Sequence, residues 1–184
     1  DYVLKDIDMV VHLISKQHNN QFSSYDELNK FNQSSIKFMN HCKKNKIKKF
    51  IYISSLKVMG EYNYKKRPFS LNDNPSPKNL YAVNKLQNEN YIKSIFSNSL
   101  TKYCIIRSPI IYGKNNKGIL KYIDILINFY IPIPCKKLNA LKSTINIMNL
   151  VDFIKFNLIN NYFDNKITFV GDIKDYNIEN FIKI

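Results

Sequence analysis

The sequence predicts an α/β fold in which parallel strands alternate with helices. Short apolar runs without period-two alternation recur along the chain, as in strands buried on both faces. Between them, apolar residues return at helical spacing, which implies right-handed crossovers joining parallel strands. The chain has 184 residues with no internal repeat or low-complexity linker, enough for one domain or one plus a small lobe.

The first strand is predicted over Asp8 to Leu13, DMVVHL, followed by a polar loop over Lys16 to Ser24. Phe31, Ser35, Phe38, Met39 and Cys42 then mark a helix, and Lys49 to Ser55, KFIYISS, a second buried strand. A long loop with Pro68, Pro75 and Pro77 spans Leu56 to Asn79, a length that compact domains reserve for functional segments. A helix is predicted from Leu80 to Ser97, and Tyr103 to Arg107 is the third strand, stopped by Pro109. Gly118 to Tyr130 reads as an amphipathic helix, Lys142 to Ile147 as a short strand and Asn149 to Ile159 as a helix. Lys166 to Val170 is a last strand, and a helix begins at Asn177.

Composition excludes several classes. With 45% hydrophobic residues the chain is no disordered tail, and no run of eighteen apolar residues spans a membrane. The formal charge of +14 suits an anionic partner, but the lysines are scattered and no basic stripe or nucleic-acid motif exists, so no nucleic acid is expected. The cluster Lys43, Lys44, Lys46, Lys48 and Lys49 falls where a helix ends, where cations suit the dipole, and reads as solvated surface. Cys42, Cys104 and Cys135 form no CxxC pair and read as free thiols of a reducing, cytoplasmic compartment. His12 reads as a hydrogen-bonded core residue, His18 as a loop residue near a ligand and His41 as helix surface. No His, Cys and carboxylate grouping has metal spacing, so no metal is expected.

The sharpest feature is Tyr81-Ala-Val-Asn-Lys85. Positions four apart share a helix face, so a phenol and an ammonium are presented together. A free phenol titrates near 10, too high for a base at neutral pH, and a nearby cation lowers that value. Such spacing arises by chance in a chain with 13 Tyr, so its context matters. Ser54 and Ser55 close a buried strand upstream, and ligands of parallel sheets bind at the carboxyl ends of strands.

The strings FIYISSLKVMGE, PSPKNLYAVNK and IIRSPIIYG, in that order, resemble the extended short-chain dehydrogenase/reductase family. SSLKVMGE is similar to the SSIKVNGE string of nucleotide-sugar 4-epimerases and 4-keto-sugar reductases of bacterial surface polysaccharide synthesis. DIDMVVHLIS, the Asn32 to Ser35 segment and PIPCKKLNALKSTINIMNLVDFI resemble further family segments. The resemblance implies a Rossmann-like doubly wound parallel sheet, truncated at its amino terminus, with a small carboxyl-terminal substrate-binding lobe. Residues 1–113 would form a partial NAD(P)-binding domain with the catalytic residues. Residues 114–184 would be mainly the lobe, truncated at its end, with a returning strand segment over about 148–170.

The resemblance further implies that Tyr81 is the general acid/base at a sugar hydroxyl, that Lys85 binds the nicotinamide ribose and tunes Tyr81, and that Ser55 binds the reacting oxygen. Ser54 is the nearby alternative. Leu13, Ile14, Ser15, Asn32, Ser54, Tyr81, Lys85 and Pro109 are the cofactor-binding set, for NAD or NADP. Ser55, Lys57, Tyr81 and Lys142 are the substrate-binding set, for a nucleotide sugar. A homodimer is the family's common assembly, with the helix after Leu80 as a contributor.

Three departures qualify the substrate side: Lys142 stands where relatives have Arg, Ile119 where they have Asn and Met59 where many have Tyr. The glycine-rich G-x-x-G-x-x-G turn of the family is absent from the 184 residues, whose four glycines are isolated. An upstream segment carrying that turn is therefore expected, and the fragment alone is expected to be inactive. The expected activity is nucleotide-sugar 4-epimerisation. The alternatives are a 4-keto-sugar reductase and a non-catalytic, cofactor-binding remnant.

Overall fold

Strand β1 (Met9–His12) pairs in parallel with β2 (Lys49–Ser55), with Val10 opposite Phe50 and His12 opposite Tyr52. This is a computed structural model, and it describes residues 4–16, 22–61, 67–114, 129 and 142–173. Strand β2 is buried at every position but its last, as its unalternated apolar sequence requires. Helix α1 (Tyr25–Lys44) is the crossover between them. It starts at Ser24, whose side chain accepts from the Glu27 N–H at 3.2 Å, while the Glu27 carboxylate accepts from the Ser23 N–H at 2.7 Å. Both bonds satisfy donors that a helix start leaves open. At the other end the Lys46 N–H donates to Lys43 O at 3.0 Å and the Ile47 N–H to Cys42 O at 3.2 Å. That doubled bond needs a left-handed residue, supplied here by Lys46 at φ 54°.

A short 3₁₀ helix (Leu56–Met59) follows β2, then the proline-bearing loop, then α2 (Leu80–Phe96). Asn79 caps α2 by accepting from the Ala82 N–H at 2.9 Å. Ala82, Lys85, Glu89, Ile92 and Phe96 are the buried stripe of α2, at the three-and-four spacing of one helix face. Strand β3 (Lys102–Ser108) lies next to β2, and β6 (Lys166–Phe169) pairs in parallel with β3, giving the order β1-β2-β3-β6.

The two faces of β2 are covered by different helices. Phe50 and Tyr52 join Met39 and Cys42 of α1 and Ile92, Ile95 and Phe96 of α2 in one core cluster. Burying each of these large side chains contributes roughly 1.5–3 kcal/mol. On the opposite face Lys49 reaches α3 (Ile147–Ile159), donating to Asn157 O at 2.7 Å and to Asn160 O at 2.6 Å. Helices on both faces of a parallel sheet make the fold Rossmann-like. Lys49 itself corrects the expectation of a solvated lysine cluster: it is 4% exposed and ion-paired to Asp164 at 2.8 Å, and only its neighbours Lys43, Lys44, Lys46 and Lys48 are exposed.

By contacts the chain divides into two compact units, Asp1–Arg107 with Ile154–Phe169, and Ser108–Phe153 with Val170–Ile184. In the second, β4 (Ile110–Tyr112) pairs in parallel with β5 (Thr144–Asn146), which lies within the predicted strand Lys142 to Ile147. Asp172 ties this unit together by accepting from the Asn146 N–H at 3.1 Å and the Asn149 side chain at 2.7 Å. Gly113, at φ 155°, has no room for a side chain: a Cβ there would lie 2.5 Å from Ile147 Cγ2. The predicted helices over Gly118 to Tyr130 and from Asn177 lie outside the described residues, apart from Phe129, as do His18, Ile119 and Cys135.

Candidate active site at the carboxyl end of the second strand

Three consecutive residues close β2, and each is tied differently. The Ile53 carbonyl accepts from Lys85 Nζ at 2.7 Å. The Ser54 hydroxyl donates to Glu89 Oε1 at 2.5 Å. Ser55, half-buried, caps the 3₁₀ helix and accepts from the Lys57 N–H at 3.2 Å. The two serines differ: Ser54 turns inward to α2 and is 2% exposed, whereas Ser55 is half-buried and engages the start of the 3₁₀ helix. The Lys57 side chain is exposed.

Helix α2 supplies the other half. Tyr81 lies in its first turn and is half-buried, where the positive end of the helix dipole favours a phenolate. Lys85, one turn on, is 2% exposed, with Nζ 5.9 Å from the centre of the Tyr81 ring and 4.8 Å from that of Tyr52. Burial lowers its pKa to about 8, against an opposing pull from the Glu89 carboxylate. Burial, with Glu89 and Tyr81 nearby, raises the Tyr52 phenol well above its ordinary value, so Tyr52 stays neutral.

His12 packs among Phe38, Phe50 and Tyr52, with ring centroids 5.6, 5.9 and 5.6 Å away. It is in the core as expected, and its Nδ1 has no hydrogen-bond partner among the described residues. Burial and the Lys85 charge lower its pKa to about 4, which keeps it neutral. Cys42 and Cys104 are buried free thiols, and burial raises their pKa to about 11 and about 12. Neither is a nucleophile near neutral pH.

The remaining candidates divide. Leu13 and Ile14 follow β1 and are 62% and 64% exposed. Ser15 is next, with a buried Oγ that has no partner among the described residues. Asn32 instead faces α2. Its Oδ1 accepts from Asn84 at 2.5 Å and Asn88 at 3.0 Å, and its Nδ2 donates to Gln87 at 2.5 Å. Its amide is thus committed to the helix interface. Pro109 and Lys142 belong to the second unit.

Reading the motifs missed Glu89 and Arg107. The Arg107 guanidinium grips Glu89 with Nε at 3.1 and 3.2 Å and Nη2 at 2.7 Å, and Nη1 donates to Met59 Sδ at 2.9 Å. The available signal was a carboxylate on the apolar stripe of α2, four residues past Lys85. Among the described residues no three metal-ligating side chains gather, and no helix is long and apolar enough to cross a membrane.

The model of the NAD dependent epimerase/dehydratase family matches residues 1–154. The chain belongs to this family. A curated member, UDP-glucose 4-epimerase of Vibrio cholerae, is 35% identical over 109 residues, which is 59% of this chain and 33% of that protein. The chain thus spans about a third of that relative. UDP-N-acetylglucosamine 4-epimerase of Methanobrevibacter ruminantium M1, solved in complex with UDP-N-acetylmuramic acid, superposes with a TM-score of 0.81 at 26% identity, covering 98% of this chain and 60% of that one. The UDP-glucuronic acid 4-epimerase of Bacillus cereus, solved with NAD, shares the fold at a TM-score of 0.85 and 20% identity, covering 98% and 59%.

The residues at the strand ends fit the dinucleotide of this family. Ser15 holds an unpartnered buried hydroxyl directly after β1, beside the exposed Leu13 and Ile14, and Lys85 brings a buried ammonium to the end of β2. In open parallel sheets this edge is where dinucleotides lie.

Proposed function

We propose that the full-length protein is an NAD(P)-dependent nucleotide-sugar 4-epimerase acting on a UDP-sugar, with Tyr81 as its acid/base. The observation that carries this reading is the juxtaposition of Tyr81, in the first turn of α2, with a buried Lys85 whose ammonium lies 5.9 Å from the phenol ring. The helix dipole and the ammonium both favour the phenolate, so Tyr81 can take a proton from a sugar hydroxyl near neutral pH. Ser55, half-buried at the carboxyl end of β2, donates a hydrogen bond to the same oxygen. Ser54 is less suited because Glu89 already engages its hydroxyl. When bound, the nicotinamide supplies the hydride chemistry. Leu13, Ile14, Ser15 and Lys85 would hold that cofactor. In this reading Lys57 offers a cation to the substrate's diphosphate, and the second unit, which carries Pro109 and Lys142, is the substrate lobe.

The test is Tyr81→Phe in the full-length protein. Turnover of UDP-glucose or UDP-N-acetylglucosamine to its C4 epimer should fall about 10²- to 10⁴-fold while NAD binding persists. Unchanged turnover would remove Tyr81 from the mechanism. Interconversion of epimers without net consumption of NADH marks an epimerase, and stoichiometric consumption marks a reductase. The homodimer is part of the proposal, and sedimentation of the full-length protein tests it.

A further inference from the structure

Tyr81, Lys85 and Glu89 stand at successive turns of α2, and the last two meet successive residues of β2. Lys85 holds the Ile53 carbonyl at 2.7 Å and Glu89 holds the Ser54 hydroxyl at 2.5 Å. Ser55 is the next residue. Glu89 is fully buried and 4% of the Arg107 side chain is exposed, so the pair that fixes this carboxylate is sealed from water. Arg107 comes from β3 and spends a third nitrogen on Met59, at the end of the 3₁₀ helix that Ser55 caps. The network therefore ties the β2 terminus to α2 and, through Arg107 and Met59, to the 3₁₀ helix that follows it.

We propose that Glu89 is a positioning residue for the reacting groups: through Ser54 it fixes the strand end that carries Ser55 and the Ile53 carbonyl, and it is the anion facing the buried Lys85 ammonium. This rests on the proposed function for its catalytic consequence, but not for its structural one. The groups around Lys85 are Tyr81 and Glu89 on α2, Tyr52 on β2 and His12 on β1, with Arg107 of β3 behind Glu89. His12 and Tyr52 are neutral near pH 7, which leaves Glu89 as the carboxylate that supports the charge of Lys85. Arg107 in turn holds both oxygens of the Glu89 carboxylate. A carboxylate so clamped cannot close directly onto Lys85 and remove it from Tyr81. It acts on Lys85 through space and on the serines through a bond.

Three variants of the full-length protein test this. Glu89→Gln removes the charge but leaves Arg107 buried without its carboxylate, so Glu89→Gln/Arg107→Met, which removes both charges, is made beside it. Ser54→Ala removes the hydroxyl that Glu89 holds and leaves both charges in place. NMR titration of the Lys85 side chain needs no turnover. Its midpoint should fall by about one pH unit in Glu89→Gln, by less in the double variant, where the Arg107 cation is lost as well, and stay in place in Ser54→Ala. In Ser54→Ala and in the double variant, kcat should fall about ten-fold or more with KM nearly unchanged, because the serine hydroxyl is displaced rather than lost. A folded Glu89→Gln protein whose Lys85 titrates as in the wild type overturns the electrostatic part. Wild-type kcat in Ser54→Ala overturns the anchoring part, including where the Glu89 variants do not fold. A wild type that epimerises no UDP-sugar would count against the proposed function instead, and the Lys85 titration would still decide the role of Glu89.

Discussion

Replacing Lys85 by methionine should separate the stability of the fold from its chemistry. Lys85 is 2% exposed, and burial holds its pKa at about 8 against an ordinary 10.5. Between those values the unfolded chain binds more protons than the folded one, so stability rises with pH across the window and the penalty is complete below pH 8. At roughly 1.4 kcal/mol per pH unit, the penalty at neutral pH is about 3 kcal/mol. Methionine has a similar length and no charge, so Lys85→Met removes that penalty. It also leaves the Ile53 carbonyl without its donor, which costs roughly 1–3 kcal/mol. The two nearly offset, and the variant should lie within about 2 kcal/mol of the wild type at pH 7 while losing turnover. A second signature is independent of that balance. From pH 7 to about pH 9.5 the wild type should gain about 2 kcal/mol on the variant. Urea unfolding of the full-length protein, followed by circular dichroism at both pH values, measures each number. A variant more than about 4 kcal/mol less stable at pH 7, or a difference that ignores pH, would make Lys85 a structural residue and refute the reasoning.

His12 should set an acid limit. Its pKa is lowered from 6.5 to about 4, so stability present above pH 6.5 is lost as pH falls toward 4, by about 3 kcal/mol, and His12→Phe should flatten that limb in a pH series of melting curves. Asn79→Ala removes the cap of α2 and should cost about 1 kcal/mol in urea unfolding, with a loss of kcat if the first turn carrying Tyr81 frays. Lys46→Gly relieves a left-handed lysine at φ 54° and should stabilise the fold by roughly 0.5–1 kcal/mol, visible as a raised melting temperature.

The strands that were legible in the sequence are short apolar runs. Strand β2 is apolar without alternation because both its faces are covered, whereas Met9–His12 and Lys166–Phe169 are read from their apolar residues although their burial is only partial. Helix α1 extends six residues before the first apolar marker, Phe31, because Ser24 and Glu27 set its start. Apolar spacing does not report caps. Strand β4 follows Pro109 directly, and its three residues form too short a run to separate from loop. Polar interiors were the hardest to foresee. Asn32, Asn84 and Asn88 form a buried amide cluster between α1 and α2, and nothing in periodicity distinguishes a buried asparagine from a solvated one. Lys49 was hidden in the same way, inside a run of surface lysines. The Tyr81 and Lys85 spacing was legible because the motif is local. The Glu89 and Arg107 pair joins residues 18 positions apart and exists only once α2 lies on β3.

Three buried cations show why Lys85 stands apart. Lys49 is held by Asp164 at 2.8 Å and by two carbonyls that end α3, so its charge is matched where helix carbonyls lack partners. Arg107 is matched by Glu89 in a two-pronged pair. Lys85 has one carbonyl and two aromatic rings, and among the described residues it forms no salt bridge. A fold selected for stability alone would place an apolar side chain there, since a buried ammonium without a direct counter-charge is costly. The Glu89 carboxylate one turn on is held by Arg107, and the half-buried phenol ring of Tyr81 lies 5.9 Å from the Lys85 ammonium. The ammonium is under-compensated in the resting protein and gains a counter-ion when Tyr81 ionises. In the function proposed above, that coupling would make proton removal from Tyr81 easier.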